Sequence, residues 1–376
     1  MKILMLTNIP SPYRVDFFNE LGKYCELTVL FEKKESDERD DSWKNFKAKH
    51  FTAVFLNGKR IGVAEAFCPG VICYLKKNTY DYIIVTNFSD ITGIISILYM
   101  KSRKISYGIE SDGGFAGTGR GIKEYIKRLL LSTASFYFST AKKHDEYYTV
   151  YGAKKEQIIR YPFSSLHDSD ILNQPVSAEE KNAIKKKLNI NEEKVILSVG
   201  QFVYRKGYDV LLNALTDLDD NIGCYIVGGE PTEEYIKLIE KNNLKNIHFV
   251  SFKKKNELDE YYKAADLFVL PTREDIWGLV INEAMAKGLP VITTDKCIAG
   301  LELIDNRKIG RIVQSEDAAS LSKAINEEIS EISIQKSIGV LNRIRDYSIE
   351  KMAQVHISAL ERMKTNGKEK HFDILH

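Results

Sequence analysis

An α/β fold in two domains is what this chain predicts, and three observations predict it. Short apolar runs of strand composition alternate with segments of helical spacing from Met1 through to Ile292. At 376 residues the chain is long enough for two domains of ordinary size. A polar stretch without strand signals, Ser164–Glu193, breaks the alternation near the middle. The expected division is therefore residues 1–170, residues 171–347, and a last helix with its tail over 348–376.

The bulk composition narrows the class. An apolar content of 44% supports real cores and argues against disorder. A net charge of +2 gives no nucleic-acid signal, and none is expected as a partner. The five cysteines (Cys25, Cys68, Cys73, Cys224 and Cys297) are scattered and odd in number, which suits reduced thiols and neither a disulfide framework nor a zinc site. The opening run Met1–Leu6 is too short for the apolar core of a signal peptide and reads as a first buried strand. No segment is long enough to span a bilayer, so a soluble or peripheral protein is expected.

In the first half, strands are expected at Ile3–Leu6, Leu27–Phe31, Tyr82–Thr86, Ile105–Ile109, Phe136–Ser139 and Ile158–Tyr161. Pro10 and Pro12 predict an extended loop after the first strand, where open α/β sheets bind ligands; Phe17, Phe18 and Leu21 then open a helix. The stretch Glu32–His50 mixes charges of both signs and reads as solvated. After the strand ending at Ile109 comes Glu110-Ser111-Asp112, then a loop rich in glycine up to Gly121. Gly114 to Gly119 has P-loop spacing, but Arg120 and Gly121 stand where Lys and Ser/Thr belong, so no phosphate loop is expected. Ile122–Leu131 has the spacing of an amphipathic helix, with Lys101, Arg103 and Lys104 upstream. Together they could dock on an anionic membrane, although most basic helix faces are simply solvated.

In the second half, Ser177-Ala178-Glu179-Glu180 is a capping box that opens a helix through Leu188. Asp168-Ser169-Asp170 imitates the DxD of metal-dependent transferases, but its place in the linker makes a turn or cap the expected reading. The strand Val195–Val199 leads through Gly200-Gln201-Phe202-Val203-Tyr204-Arg205-Lys206-Gly207 into a helix from Tyr208. Two adjacent cations between a strand and a helix are placed to meet a diphosphate; the alternative is a pair of surface charges. Further strands are expected at Cys224–Val227 and Ile247–Phe252, with Gly228-Gly229-Glu230-Pro231 turning into a helix. The last helix, from Ser348, is expected to turn Ile349, Met352, Val355, Ala359 and Met363 inward, and Thr365–His376 to fray.

The most informative stretch runs from Thr272 to Ile292. The apolar run Leu267–Leu270 and Pro271 precede it; helical spacing begins after Gly278 and stops at Gly288 and Pro290. Asp275 lies in the loop and Glu283 in the helix, with seven residues between them. A carboxylate beside such a loop can accept hydrogen bonds from vicinal sugar hydroxyls, and the plain alternative is two solvated acids.

This stretch resembles the acid-x7-acid signature of retaining glycosyltransferases of family four, which use nucleotide-sugar donors and have the GT-B fold. The likeness extends through Trp277-Gly278-Leu279-Val280, Asn282-Glu283-Ala284-Met285-Ala286 and Gly288-Leu289-Pro290-Val291-Ile292. The opening Asn8–Phe18 is similar to bacterial cell-surface polysaccharide transferases of that family. Two positions depart from it: Asp275 stands where Glu is usual, and Gln201 where the family has Arg. The resemblance implies two Rossmann-like domains facing a cleft, with the C-terminal helix crossing back to the first.

It further implies a metal-independent hexosyltransferase that moves sugar from a UDP- or GDP-linked donor to a saccharide or lipid-linked acceptor, in the cytoplasm or at the inner face of the plasma membrane. No cofactor is implied, and no metal site is evident. Lys206 and Arg205 would neutralise the diphosphate, Asp275 would hold the donor sugar, and Glu283 would accept from the ribose. Donor contacts are implied at Gly200, Gln201, Gly278, Leu279, Val280, Phe252 and Glu230. Acceptor or cleft positions are implied at Ser11, Pro12, Tyr13, Arg14, Glu110 and Asp112. A nucleotide-sugar epimerase of the same fold would instead convert donor without acceptor, and a non-catalytic binding subunit would bind nucleotide without turnover.

Overall fold

Strands buried on both faces make the two sheets. Ile3–Leu6 in one and Leu267–Leu270 in the other are completely inaccessible, as central parallel strands are. The computed structural model describes residues 1–33, 47–61, 65–117, 121–216 and 218–372. It divides into two units, Met1–Ser165 with Tyr347–His376, and Leu166–Asp346.

The first unit runs β1 (Lys2–Thr7), α1 (Pro12–Leu21), β2 (Glu26–Phe31), β3 (Thr52–Phe55), β4 (Lys59–Arg60), β5 (Ala66–Phe67), β6 (Tyr82–Val85), α2 (Ile91–Ser102), β7 (Gly108–Glu110), α3 (Ile122–Leu131), β8 (Phe136–Ser139), α4 (Lys142–Val150) and β9 (Ile158–Arg160). Seven strands pair in the order β3-β2-β1-β6-β7-β8-β9, and β4 with β5 forms a small hairpin. The pairing in the large sheet is parallel throughout, with Ile3 opposite both Leu27 and Tyr82.

The second unit runs α5 (Ala178–Lys187), β10 (Lys194–Val199), α6 (Tyr208–Ala214), β11 (Ile222–Val227), α7 (Glu233–Lys241), β12 (Ile247–Val250), α8 (Lys255–Ala264), β13 (Leu267–Leu270), α9 (Leu279–Met285), β14 (Val291–Thr294), α10 (Ile298–Leu303), β15 (Gly310–Val313), α11 (Ala318–Ser330) and α12 (Ile334–Ile344). Its strands follow the order β12-β11-β10-β13-β14-β15, all parallel. That is the doubly wound order, in which the winding reverses between two central strands. Helix α13 (Ile349–Phe372) then returns the chain to the first unit. Both units are Rossmann-like, and the chain has the GT-B fold.

Several expected elements shift. Pro12 does not extend the loop but opens α1 as its first residue, where its missing N–H costs nothing. The strand expected over Ile105–Ile109 is Gly108–Glu110, and the one expected to reach Phe252 ends at Val250. Strands β3 and β15 were hidden in the sequence, because β3 is a partly exposed edge and β15 carries Arg311, which binds Glu327 at 2.5 Å and Glu328 at 2.8 Å. Most of the charged stretch after Lys33, residues 34–46, and residues 118–120 of the glycine loop lie outside the described residues. The helical tail persists to Phe372 where fraying was expected; residues 373–376 lie outside the described residues.

Ser177 caps α5, accepting from the Glu180 amide at 3.1 Å. Asp168–Asp170 forms a 3-10 turn tied to the second unit by Lys255, 2.9 Å from the Asp170 carboxylate. In α13 the buried face is Ile349, Met352, Ala353, His356, Ile357 and Leu360, with Val355 and Ala359 only half-buried. The expected stripe is thus turned, because it passed over a polar residue. His356 is fully buried, stacked on Phe138 with 3.9 Å between ring centres and 3.3 Å from Glu110.

Candidate functional site

The winding of the second sheet reverses between β10 and β13, so the loops leaving their carboxyl ends part and leave a crevice. Those loops carry Arg205 with Lys206, and Asp275. Backbone and side-chain bonds stitch them together. The Arg273 amide donates to the Arg205 carbonyl at 2.8 Å, and the Thr272 hydroxyl to the same carbonyl at 3.0 Å. Arg273 grips Asp209 with both guanidinium arms, at 2.8 and 2.7 Å, and sits over Tyr204 with its Cζ 3.9 Å from the ring centre. The Asp209 bonds, and then Glu316, hold its guanidinium even more firmly protonated than usual. Arg273 is thus a strut.

On this frame Lys206 donates to Asp275 Oδ2 at 2.6 Å. Arg205 approaches the same oxygen at 3.4 Å and donates to the Glu274 carbonyl at 3.0 Å. The Lys206 and Asp275 side chains are each 12% exposed, whereas Arg205 is 49% exposed. An ammonium has three donors, so Lys206 can keep Asp275 and still reach an incoming oxyanion. The Asp275 backbone is fixed from the other side by its amide, which donates to Lys296 at 2.8 Å.

Gly278 follows at φ +102°, a conformation a side chain resists, and a Cβ there would stand 2.8 Å from Cys297 Sγ. Burial pushes the Cys297 thiol up to about 12, Asp275 adding to the effect, so it is a packing residue and not a nucleophile. Trp277 is buried and donates from Nε1 to Asn282 at 2.8 Å, which pins the turn into α9. One turn of α9 further, Glu283 accepts from the Tyr262 hydroxyl at 2.9 Å. Burial raises its carboxyl, and Tyr262, Lys255 and Lys287 only partly offset this. Among the described residues no group of three or more His, Cys, Asp or Glu is placed to hold a metal ion.

A family model described as Glycosyl transferases group 1 matches residues 180–339, the part of the chain that holds this frame. Over those residues, under half of its length, the chain is similar to the glycosyl transferases of group 1. An uncharacterized 41.2 kDa protein in the cps region of Klebsiella pneumoniae is 28% identical over 273 residues, 69% of this chain and 73% of that protein. The lipopolysaccharide glucosyltransferase WaaG of Escherichia coli K12 is 34% identical over 123 residues, 31% of each. With WaaG, therefore, the shared stretch is under a third of the relative's length. Among solved structures, Anabaena Alr3699/HepE in complex with UDP superposes with a TM-score of 0.77 over 96% of this chain and 100% of its own, at 15% identity.

The other expected donor positions cluster unevenly. Gly200 follows β10 beside Lys206, and Gly228 packs against the Gly200 carbonyl so closely that a Cβ has no room there, which brings the loop carrying Glu230 alongside. Gln201 and Glu230 are exposed; Leu279 and Val280 are half-buried at the start of α9. Phe252 is 62% exposed beyond β12, an outer strand of the sheet and not one of the two at the reversal.

In the first unit the expected acceptor residues do meet, although not all face outward. Arg14 binds both Glu110 and Asp112, and the Tyr13 hydroxyl donates to Asp112 at 2.6 Å. Ser11 is buried and Pro12 exposed. Glu110 is completely inaccessible, so it is an internal counter-ion and not a surface on which an acceptor rests. Burial alone would raise its carboxyl, but Arg14 and His356 outweigh that and hold it near about 2. Asp112 is the exposed member, at 28%.

Sequence reasoning missed Tyr262, Arg273, Asn282 and His356. The first three had no distinguishing pattern, since their partners lie on other elements or across a turn. His356 interrupts an otherwise apolar helix face, and that interruption was the available signal.

Proposed function

We propose that the chain transfers a sugar from a nucleoside-diphosphate sugar to a saccharide or lipid-linked acceptor, with retention of anomeric configuration, in the assembly of a bacterial surface polysaccharide. One observation carries the proposal. Lys206 and Arg205 converge on a single carboxylate oxygen, at 2.6 and 3.4 Å, in the loops flanking the reversal of a doubly wound sheet. Cations fixed there suit a diphosphate and stabilise the negative charge that grows on it as the sugar leaves. Asp275, held by both, would accept from donor-sugar hydroxyls, and Glu283 from the ribose. In the first unit Asp112 and Tyr13 are the groups left to meet the acceptor. The relatives support the class: WaaG is named as a lipopolysaccharide glucosyltransferase, and HepE was solved with UDP.

The test begins with a panel of nucleotide-sugars ranked by thermal stabilisation. The best binder is then offered with and without a saccharide acceptor, and the product anomer read by NMR. Lys206→Ala should cut turnover by roughly 10²- to 10³-fold, the loss seen when one preorganised donor is removed, with the melting temperature nearly unchanged. Unchanged turnover would show that Lys206 does not serve the leaving group. Conversion of donor without acceptor would favour an epimerase.

A further inference from the structure

Ser111 stands between Glu110 and Asp112 at the carboxyl end of β7, and it is half-buried. Two wholly buried side chains of α4 meet its hydroxyl. His144 Nε2 lies 2.9 Å from Ser111 Oγ, and the Tyr148 hydroxyl 3.1 Å from it.

The direction of each hydrogen bond is fixed by what the groups can do. The Thr140 amide donates to His144 Nδ1 at 3.2 Å. An amide can only donate, so Nδ1 carries no proton. Burial pushes the imidazole down to about 3, partly opposed by Glu110, and so holds it neutral. A neutral ring with a bare Nδ1 keeps its proton on Nε2, which therefore donates to Ser111. Among the described residues Ser111 is the partner of the Tyr148 hydroxyl. A buried phenol that accepted there would leave its own proton without an acceptor, so Tyr148 donates as well.

A serine oxygen has two lone pairs, and these two bonds fill both. What remains is the serine proton. No acceptor for it is found among the described residues, and with His144 and Tyr148 on the inner side it is left to the open side of the strand end. Ser111 is thus a donor that cannot accept. Asp112 beside it is the reverse, a carboxylate that only accepts, 28% exposed with Arg14 and Tyr13 on its two oxygens.

We infer that Ser111 is a specificity-determining residue for the acceptor, donating to a sugar oxygen that need not carry hydrogen, while Asp112 accepts from a neighbouring hydroxyl. The inference rests on the proposed reading of Asp112 and Tyr13 as groups that meet the acceptor. His144 and Tyr148 are positioning residues, which act on the sugar only through Ser111. A serine free to turn would serve a hydroxyl, an amine or an ether alike. Locked as a donor, it reads the polarity of one atom: a hydroxyl, ether or ring oxygen satisfies it, and a carbon or an N–H does not.

The test uses octyl β-glucoside and octyl β-galactoside as acceptors, with single ring hydroxyls replaced by hydrogen or by a methoxy group, and the nucleotide-sugar that stabilises the protein most. On the glycoside that receives sugar, the deoxy compound at one ring position should lose roughly tenfold in kcat/KM, mostly through KM, and the methoxy compound, which keeps the oxygen, clearly less. Ser111→Ala should remove that deoxy penalty and leave those at the other positions as they were. Tyr148→Phe should shrink the same penalty and no other. Loss of the serine oxygen strands two buried donors, so Ser111→Ala should melt lower and is assayed below its transition. Ser111→Thr, which keeps the hydroxyl, should restore the penalty. Long-range proton–nitrogen NMR on histidine-labelled protein reads the lock directly: His144, identified by its loss in His144→Phe, should carry its proton on Nε2.

A proton on Nδ1 overturns the inference. So does a Ser111→Ala variant whose deoxy penalties match the wild type at every position, or one that lowers kcat/KM alike for every analogue. Wild type that transfers sugar to no glycoside removes the proposed function first and this inference with it, whereas transfer that ignores Ser111 removes the inference alone.

Discussion

Arg14 and Lys206 hold corresponding places in the two units, each after the first strand of a parallel sheet and each facing acids, yet they are equipped for different work. Arg14 is 4% exposed and committed to Glu110 and Asp112, with Glu110 itself wholly buried against His356. Lys206 shares one carboxylate with a half-exposed Arg205 and keeps donors to spare. The first arrangement positions its neighbours; the second can still bind. A cation beside an acid just after the first strand of such a sheet is therefore not enough to mark a binding site. What separates the two is how many of its donors the fold has already taken.

Breaking the buried cluster should give the largest effect on stability. Arg14→Met leaves Glu110 as a buried charge with His356 as its remaining ionic partner and should cost about 3–5 kcal/mol in denaturant unfolding. A loss below about 1 kcal/mol would put Arg14 in the same class as Lys206. Glu110 also sets a pH signature: its folded value, about 2, lies below the unfolded one. Its stabilisation is full above the unfolded value of about 4.5 and is lost as pH falls from there toward 2.

Glu32 sharpens the contrast with the opposite sign. It accepts from the Ala66 amide at 2.9 Å and from Asn87, and burial raises its carboxyl to about 7. Here the folded state holds the proton more tightly, so stability falls as pH rises from about 4.5 to 7. Glu32→Gln should remove that slope and gain about 1 kcal/mol at pH 8 in melting experiments, whereas a loss at pH 8 would mean the ionised form is the one the fold wants. The smallest effect belongs to the second unit. Tyr262→Phe removes the hydroxyl that donates to Glu283 and should weaken nucleotide binding by about 1 kcal/mol in calorimetry, with no comparable change in overall stability.

Much of this was legible in the residues. The apolar runs at Ile3–Leu6, Val195–Val199 and Leu267–Leu270 read as buried parallel strands because both faces must be covered, and the Ser177 cap announced α5. The strand-loop-helix pattern from Leu267 to Pro290 placed Asp275 in a loop, and the structure brings that loop to Lys206. Strand β15 was not legible, since Arg311 breaks its apolar run and it takes Glu327 and Glu328 of α11, with Glu331 just after it, to make that charge tolerable. Nor was the fate of Glu110, whose burial depends on Arg14 and on His356 of a helix far along the chain. Periodicity found the two faces of α3, but exposure was needed to show that the apolar one points outward.

The proposal turns on Lys206 binding the phosphates of the donor while it holds Asp275. The direct measurement is calorimetric affinity of wild type and Lys206→Ala for a nucleoside diphosphate and for the corresponding nucleoside, using the base that stabilises the protein most. The variant should lose roughly 10- to 100-fold in affinity for the diphosphate and keep its affinity for the nucleoside. Equal losses for both ligands, or no loss for either, would contradict it.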